Sequence, residues 1–395
     1  MRNSTVRAVN RLTTRWAAAA HAPAGNTGTV FTAAGLWPLL ALLADGAGGP
    51  ARAELAQALD IPAGAASRAA RELLADLAGV RGLRTATGLW TDAGLPLEED
   101  WSAKLPAGAR GPLTGNPDTD AKALDAWASE RTDGLIERMP VLLDEDTLMV
   151  LASALALRLR WIQPFEEWEG ELHTGPWAGR PVRTLCRSTS LLDRVGVAHG
   201  PTCAVTLLEV VGAAGVDVHL VLGEPEAPAG GTLTTGIAAV TRALPLTGAS
   251  LLPDGRPGPG LAVATVTADS PAPRLDIETV AFEVRSEHDL LEHARLFGLE
   301  TATDPQSGHF PGVSSRPLAI TSARQSALAR FDAVGFEAAA VTAIGIAAGC
   351  AAPARPRYRA RRAEVHFDRP FGFLAVHRTS RLVLAAGWVA EPEAA

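Results

Sequence analysis

The chain has 395 residues, enough to bury a large core, and its 47% hydrophobic and 20% charged content is that of a globular protein rather than a disordered one. The formal charge of −7 gives no general reason to expect nucleic acid as a partner. Cys186, Cys203 and Cys350 form neither a metal-ligand spacing nor an even-numbered disulfide framework.

The N-terminus MRNSTVRAVNRLTTRWAAAAH carries Arg2, Arg7, Arg11 and Arg15, which leaves too short an uncharged run for a secretory signal. A cytoplasmic location is expected on that basis. Val6, Val9, Leu12 and Trp16 recur at three or four residues and predict a helix. VFTAAGLWPLLALLA is interrupted by Pro38 and is too short to span a bilayer, so no membrane is expected. Leu55 and Leu59 continue the helical pattern after Pro50.

RTATGLWTD then reads as a strand, and DTDAKALDAWASERTDGLIERM as a helix stopped at Thr132-Asp133-Gly134. In LMVLASALALRLRW the period changes to two: Leu155, Leu157, Leu159 and Trp161 alternate with Ala154, Ala156, Arg158 and Arg160. CAVTLLEVV, VDVHLVLG and LDIETVAFEVRS continue in strands, interrupted by one helix, DLLEHARLFGL. The C-terminal RPFGFLAVHRTSRLVLAAGWVAEP is two apolar runs around the polar turn Arg378–Arg381, a hairpin. Helices first and mostly antiparallel strands later predict the α+β class. No linker, charge block or repeat divides the chain, which predicts one domain over 1–395.

Catalytic motifs are absent: no GxSxG, GxxxxGK, HExxH or post-strand GxGxxG occurs. His288 and His293, five apart, read as surface or packing residues, and Glu166, Glu167, Glu169 and Glu171 as a solvated acidic surface. An enzyme is not expected, and neither a cofactor nor a metal.

One segment, GFEAAAVTAIGIAAGC (335–350), fits neither a polar loop nor an ordinary helix. As a strand it places Phe336, Ala338, Ala340, Thr342, Ile344, Ile346 and Ala348 on one face and its sole charge, Glu337, on the other. The alternative, a helix over Glu337–Ile344, is short for independent stability.

These residues resemble the serpin family. GFEAAAVTA looks like the family's hinge, which opens its reactive-centre loop, so Gly335, Phe336, Glu337, Ala338, Ala339, Ala340, Val341 and Thr342 take the hinge positions. VFTAAGLWPLLALLADGAGGPARAEL, ALDAWASERTDGLIERM with the following RWIQPF, LFGLETATDPQSGHFPGVSS and HFDRPFGFLAVHRTSRLVLAAGWVAEP resemble other family signatures in the correct order.

The resemblance implies a large central mixed sheet, further antiparallel sheets, an N-terminal helical cluster and an exposed loop over about 335–365. It also implies a suicide-substrate inhibitor of a serine protease, whose cut loop enters the central sheet. The alternative is a serpin-fold protein that binds or carries without inhibiting, or is simply cut. Fifteen inserted residues span roughly 50 Å at about 3.3 Å each. Counting from Gly335 places the reactive bond at Gly349-Cys350, suited to an elastase- or subtilisin-like protease. The basic run ARPRYRARR offers Arg355, Arg357, Arg359 and Arg362 to a trypsin- or furin-like one. Action outside the cell follows by family analogy.

Departures from the family pattern bear on the loop's entrance and on the region beneath the sheet. Phe336 replaces a preferred threonine; Thr32 and Gly35 stand for two serines, Ser153 for an asparagine and Gln325 for a histidine, while Trp161 keeps the family's tryptophan. Either that polar cluster is re-satisfied locally or the sheet no longer opens.

Overall fold

The computed structural model describes all residues except 20–27, 106–109, 140, 142, 145–146, 173, 305–307 and 337–357. Helix α1 (Asn3–Ala19) buries Val6, Val9, Leu12 and Trp16 on one face. Strand β1 (Thr29–Phe31) runs through Thr32 into α2 (Ala33–Gly46), which is apolar and buried on all sides and forms the centre of the core. Pro38 does not end α2; burial on every face holds the helix through the missing main-chain donor. Around it lie α3 (Gly49–Leu59), with a proline in its first turn, and α4 (Ala63–Ala78).

Then come β2 (Leu83–Asp92), α5 (Glu99–Ser102), β3 (Arg110–Leu113) and α6 (Pro117–Arg131). Asn116 caps α6 by accepting from Thr119 N at 3.0 Å, and the helix stops where Asp133 and Gly134 turn left-handed. β4 (Met149–Leu157) and β5 (Leu159–Arg160) follow. Next are β6 (Glu166–Glu171), β7 (Pro181–Thr189), β8 (Val195–His199), β9 (Ala204–Val211) and β10 (Val216–Gly223).

Helix α7 (Ala229–Val240) precedes β11 (Thr247–Gly248), β12 (Gly255–Gly258) and β13 (Leu261–Ala268). The run read as LDIETVAFEVRS is two strands, β14 (Arg274–Val280) and β15 (Phe282–Asp289), in different sheets; buried Ala281 carries the chain between them. The helix expected in DLLEHARLFGL shrinks to a 3₁₀ turn and α8 (Ala294–Phe297). Gly298 ends it at φ 70°, where a Cβ would sit 2.5 Å from the Glu54 carbonyl oxygen. The chain closes with β16 (Arg324–Phe331), β17 (Gly335–Phe336), β18 (Tyr358–His366), β19 (Phe371–His377) and β20 (Val383–Val389).

The largest sheet is seven-stranded, in the order β1-β20-β19-β10-β9-β8-β11, and antiparallel throughout. A six-stranded sheet, β12-β13-β18-β14-β7-β6, is mixed because β14 and β18 run parallel. Two further ladders lie side by side: β15-β16-β17-β5 forms one and β3-β2-β4 the other. β4 and β16 are neighbours in space without laddering to each other among the described residues.

The loop expected to run to about 365 ends sooner. Tyr358–His366 is strand β18, paired on both edges, so Arg359 and Arg362 lie in a laddered strand. A protease needs an extended, unpaired backbone, which the ladders on both edges of β18 deny it at these two arginines.

Candidate functional site

Where these two ladders meet, two strands present complementary inner faces. Along β16, Gln325, Ala327, Ala329 and Phe331 alternate inward. Along β4 and β5, Ser153, Leu155, Leu157 and Leu159 do the same, and Trp161 continues the series. Between the strands is a narrow cleft lined by Leu155, Leu157, Leu328, Arg330 and Phe336, with Leu135 and Ile136 across its front. Its volume of about 20 Å³ admits about one water.

β17 occupies the top of this cleft. Phe336 pairs with Phe331 on one side and with Leu159 on the other, and Gly335 pairs with Arg160. At that level β5 and β16 are therefore held two strand spacings apart, about 9–10 Å. Phe336 is 3% exposed, with its ring centroid 6.1 Å from that of Phe373. Phe331 stacks on Phe282 at 5.3 Å and tilts against Trp161 at 4.9 Å. Only glycine fits at 335, because a Cβ would lie 2.1 Å from the Leu159 carbonyl oxygen.

The turn from β16 into β17 is fixed by Asp332 and Trp161. The buried Asp332 carboxylate accepts from the main-chain N–H groups of Val334 and Gly335, both at 2.9 Å, and these charge-assisted bonds offset its desolvation. Trp161 donates its indole N–H to the Asp332 carbonyl at 2.9 Å and its main-chain N–H to Val334 O at 3.0 Å. Asp332 is the residue that sequence reasoning missed, although an Asp followed by Gly three residues on is a turn signal.

Beneath the cleft lies a closed polar knot. Gln325 accepts from Thr32 N at 2.9 Å through Oε1 and donates to Thr32 O at 3.0 Å through Nε2. The Thr32 hydroxyl donates to Leu384 O at 2.6 Å and accepts from Gly35 N at 3.0 Å, capping α2. Gly35 is close-packed: a Cβ there would meet the Leu155 Cβ at 3.4 Å. Ser153 is buried opposite Thr87 in the β2–β4 ladder. Thr32 and Gln325 thus satisfy each other's buried polar groups.

Glu337, Ala338, Ala339, Ala340, Val341, Thr342, Gly349, Cys350, Arg355 and Arg357 lie outside the described residues. His288 is a packing histidine: it sits against Trp16 and Phe31, with Nε2 2.8 Å from Val30 O, and burial pushes its pKa down. Glu166, Glu167, Glu169 and Glu171 lie on edge strand β6, with Glu167 engaged by Arg183 at 2.7 Å. Burial pushes the Cys186 thiol up to about 11, so it is not a tuned nucleophile. No helix is long and apolar enough to cross a membrane, and no cluster of three metal-ligating side chains occurs among the described residues.

A family model described as Serpin (serine protease inhibitor) matches residues 7–173 and 270–392. The stretch between them contains β12 and β13. The chain is 32% identical to Serpin-ZXA of Oryza sativa subsp. japonica over 201 residues, 46% of this chain and 50% of that protein. It is 24% identical to plasminogen activator inhibitor 2 of Homo sapiens over 278 residues, 69% of this chain and 60% of the relative. These alignments span half to three-fifths of the relatives' lengths. Among solved structures, human thyroxine-binding globulin complexed with thyroxine superposes with a TM-score of 0.71 at 16% identity, covering 99% of this chain and 98% of that one. At that identity the likeness speaks for the fold.

Proposed function

The chain belongs to the serpin family, and from that premise we propose that it is a suicide-substrate inhibitor of a serine protease. Strand insertion of a cut loop is the family's established behaviour. What this chain adds is a register. The pairing of Phe336 with both Leu159 and Phe331 carries the reading, because it can be continued down the cleft. Two residues on, Ala338 would face Leu157 and Ala329; Ala340 would then face Leu155 and Ala327. Thr342 would arrive between Ser153 and Gln325, at the polar knot. Small residues would pass the leucines, and the hydroxyl would meet polar partners, so each inner-face residue suits its level in the cleft.

The chemistry follows. The protease serine Oγ attacks the Gly349 carbonyl carbon, the bond to the Cys350 nitrogen breaks, and that nitrogen leaves with a proton. The ester remains on Gly349. Residues from Glu337 onward then extend β17 down the cleft and carry the esterified protease roughly 50 Å for fifteen residues, before water completes hydrolysis. A small residue at 349 suits an elastase- or subtilisin-like enzyme, and Arg355 or Arg357 would suit a trypsin- or furin-like one. Incubation with elastase, subtilisin and trypsin tests the reading. A covalent complex surviving denaturing electrophoresis and a higher melting temperature after cutting support it; nicking without either result overturns it. Mass spectrometry of the fragments locates the cut.

A second reading, a carrier, is favoured by one observation. A cavity of about 350 Å³ beside the end of α7 is lined by Arg194, Glu209, His219, Arg242, Leu246 and Arg381. His219 is buried there with its Nε2 unpartnered among the described residues. A small apolar acid is the chemistry that cavity would take, and saturable binding by the intact chain with no protease complex would favour this reading.

A further inference from the structure

A segment tethered at both ends can enter the β4–β16 cleft as a strand in only two ways. It is cut, or the strand at its far end leaves its own sheet and follows. Residues 337–357 join β17 to β18, so β18 is the strand that would have to leave.

β18 is held on both edges. It runs parallel to β14 from Arg274↔Arg362 to Glu278↔His366. It also runs antiparallel to β13 from Leu261↔Val365 to Ala268↔Tyr358, its whole length but for the last residue. Side chains add a cross-tie. Arg361 donates to Asp254 Oδ1 at 2.8 Å and to the Leu252 carbonyl, while Asp254 Oδ2 accepts from Thr265 N at 3.1 Å on β13. Ala363 and Val365 on one face of the strand and Ala360 on the other are all buried. Without the β12–β13 hairpin, β18 would have one ladder to break and a free edge to peel from. With it, two ladders must break together.

We propose that the β12–β13 hairpin is a latch that pins β18 and thereby confines loop insertion to the cleaved chain. The proposal rests on the insertion reading and adds its control: cutting the loop frees its N-terminal part while β18 stays in its sheet.

The test uses the full-length, uncut protein held just below its melting transition, scoring the fraction that becomes heat-resistant while still a single chain. Two variants weaken the latch. Asp254→Ala removes the carboxylate tying Arg361 to Thr265. Ala264→Pro removes a ladder donor, since Thr265 N–H points to Asp254 and the Ala264 N–H therefore points to β18. The uncut parent is expected to convert only slowly, Ala264→Pro to convert at least about tenfold faster, and Asp254→Ala to convert measurably faster than the parent. Equal conversion in parent and variants overturns the latch. Should Ala264→Pro fail to fold, Asp254→Ala decides.

Amide exchange over Tyr358–His366 gives a second readout that needs no insertion. Slow exchange in the parent and faster exchange in Asp254→Ala support the latch. Fast exchange in the parent, or no change in the variant, overturns it. A cut chain that gains no heat resistance overturns the insertion reading instead, and the exchange result then judges the latch alone.

Discussion

Thr32 and Gln325, 293 residues apart, exchange a pair of hydrogen bonds through the Gln325 amide and the Thr32 main chain. The pair ties the start of α2 to the inner face of β16, below the cleft. Gln325→Leu keeps the volume but leaves the buried Thr32 N–H unpaired and its carbonyl with only the 3.4 Å bond from Leu36 N, at a cost of about 1–3 kcal/mol. Urea denaturation of the two proteins measures it. Gln325→Glu is expected to destabilise further at neutral pH, since a carboxylate cannot donate to Thr32 O. A Gln325→Leu protein as stable as the parent would remove the knot from any account of the sheet.

Phe336 and Gly335 set the register at the cleft's top. Phe336→Ala empties a nearly fully buried seat beside Phe331 and Phe373, and a loss of up to about 3–5 kcal/mol is expected. Gly335→Ala forces a Cβ against the Leu159 carbonyl oxygen and is expected to cost about 1–3 kcal/mol, with β17 displaced from β5. Thermal melts give the losses, and amide exchange at Leu159 and Phe331 reports whether the pairing is kept.

What was legible in the sequence follows from what is local. α1 and the β19–β20 hairpin were readable because their periods, 3.6 and 2, are written in large apolar residues. β12 was not, because GRPG has the composition of a turn and becomes a strand only by lying against β13. The basic run at Arg359–Arg362 read as part of an exposed loop for the same reason. Its buried residues, Ala360 and Ala363, are small and lie on opposite faces, and its ladder partners, Leu261–Ala268 and Arg274–Glu278, are distant in sequence. The identities at Thr32, Gly35, Ser153 and Gln325 showed that a polar cluster had changed. Whether it was still satisfied depended on Oε1 and Nε2 reaching one main-chain unit, a geometry no single sequence contains.

Thr342 is the residue the extended register brings to Ser153 and Gln325. Thr342→Arg would carry a charge into a buried site with no acid among those partners, costing several kcal/mol in the inserted state while leaving the uncut chain unaffected. The variant is expected to be cut at the parent's rate, to lose the covalent complex and to gain little heat resistance. Thr342→Val should retain most of the complex, since shape is kept. Complex formation by Thr342→Arg equal to the parent's would show that the loop does not enter in this register.

His366, at the end of β18, gives the six-stranded sheet a pH dependence. Its ring lies 3.5 Å from Glu278 of β14, and the hydrogen bond to that carboxylate raises its pKa, with Glu364 and Asp368 adding in the same direction. A histidine whose folded pKa is raised contributes stability that is fully present below its unfolded value of about 6.5 and is lost as pH rises through the folded value. Both side chains are substantially exposed, so solvent screening keeps the contribution small. The parent should therefore exceed His366→Gln in urea midpoint at mildly acidic pH, and the difference should vanish at alkaline pH. Direct titration of the imidazole by NMR gives the sign independently: a midpoint below about 6.5 would mean that Glu278 does not hold the charged ring.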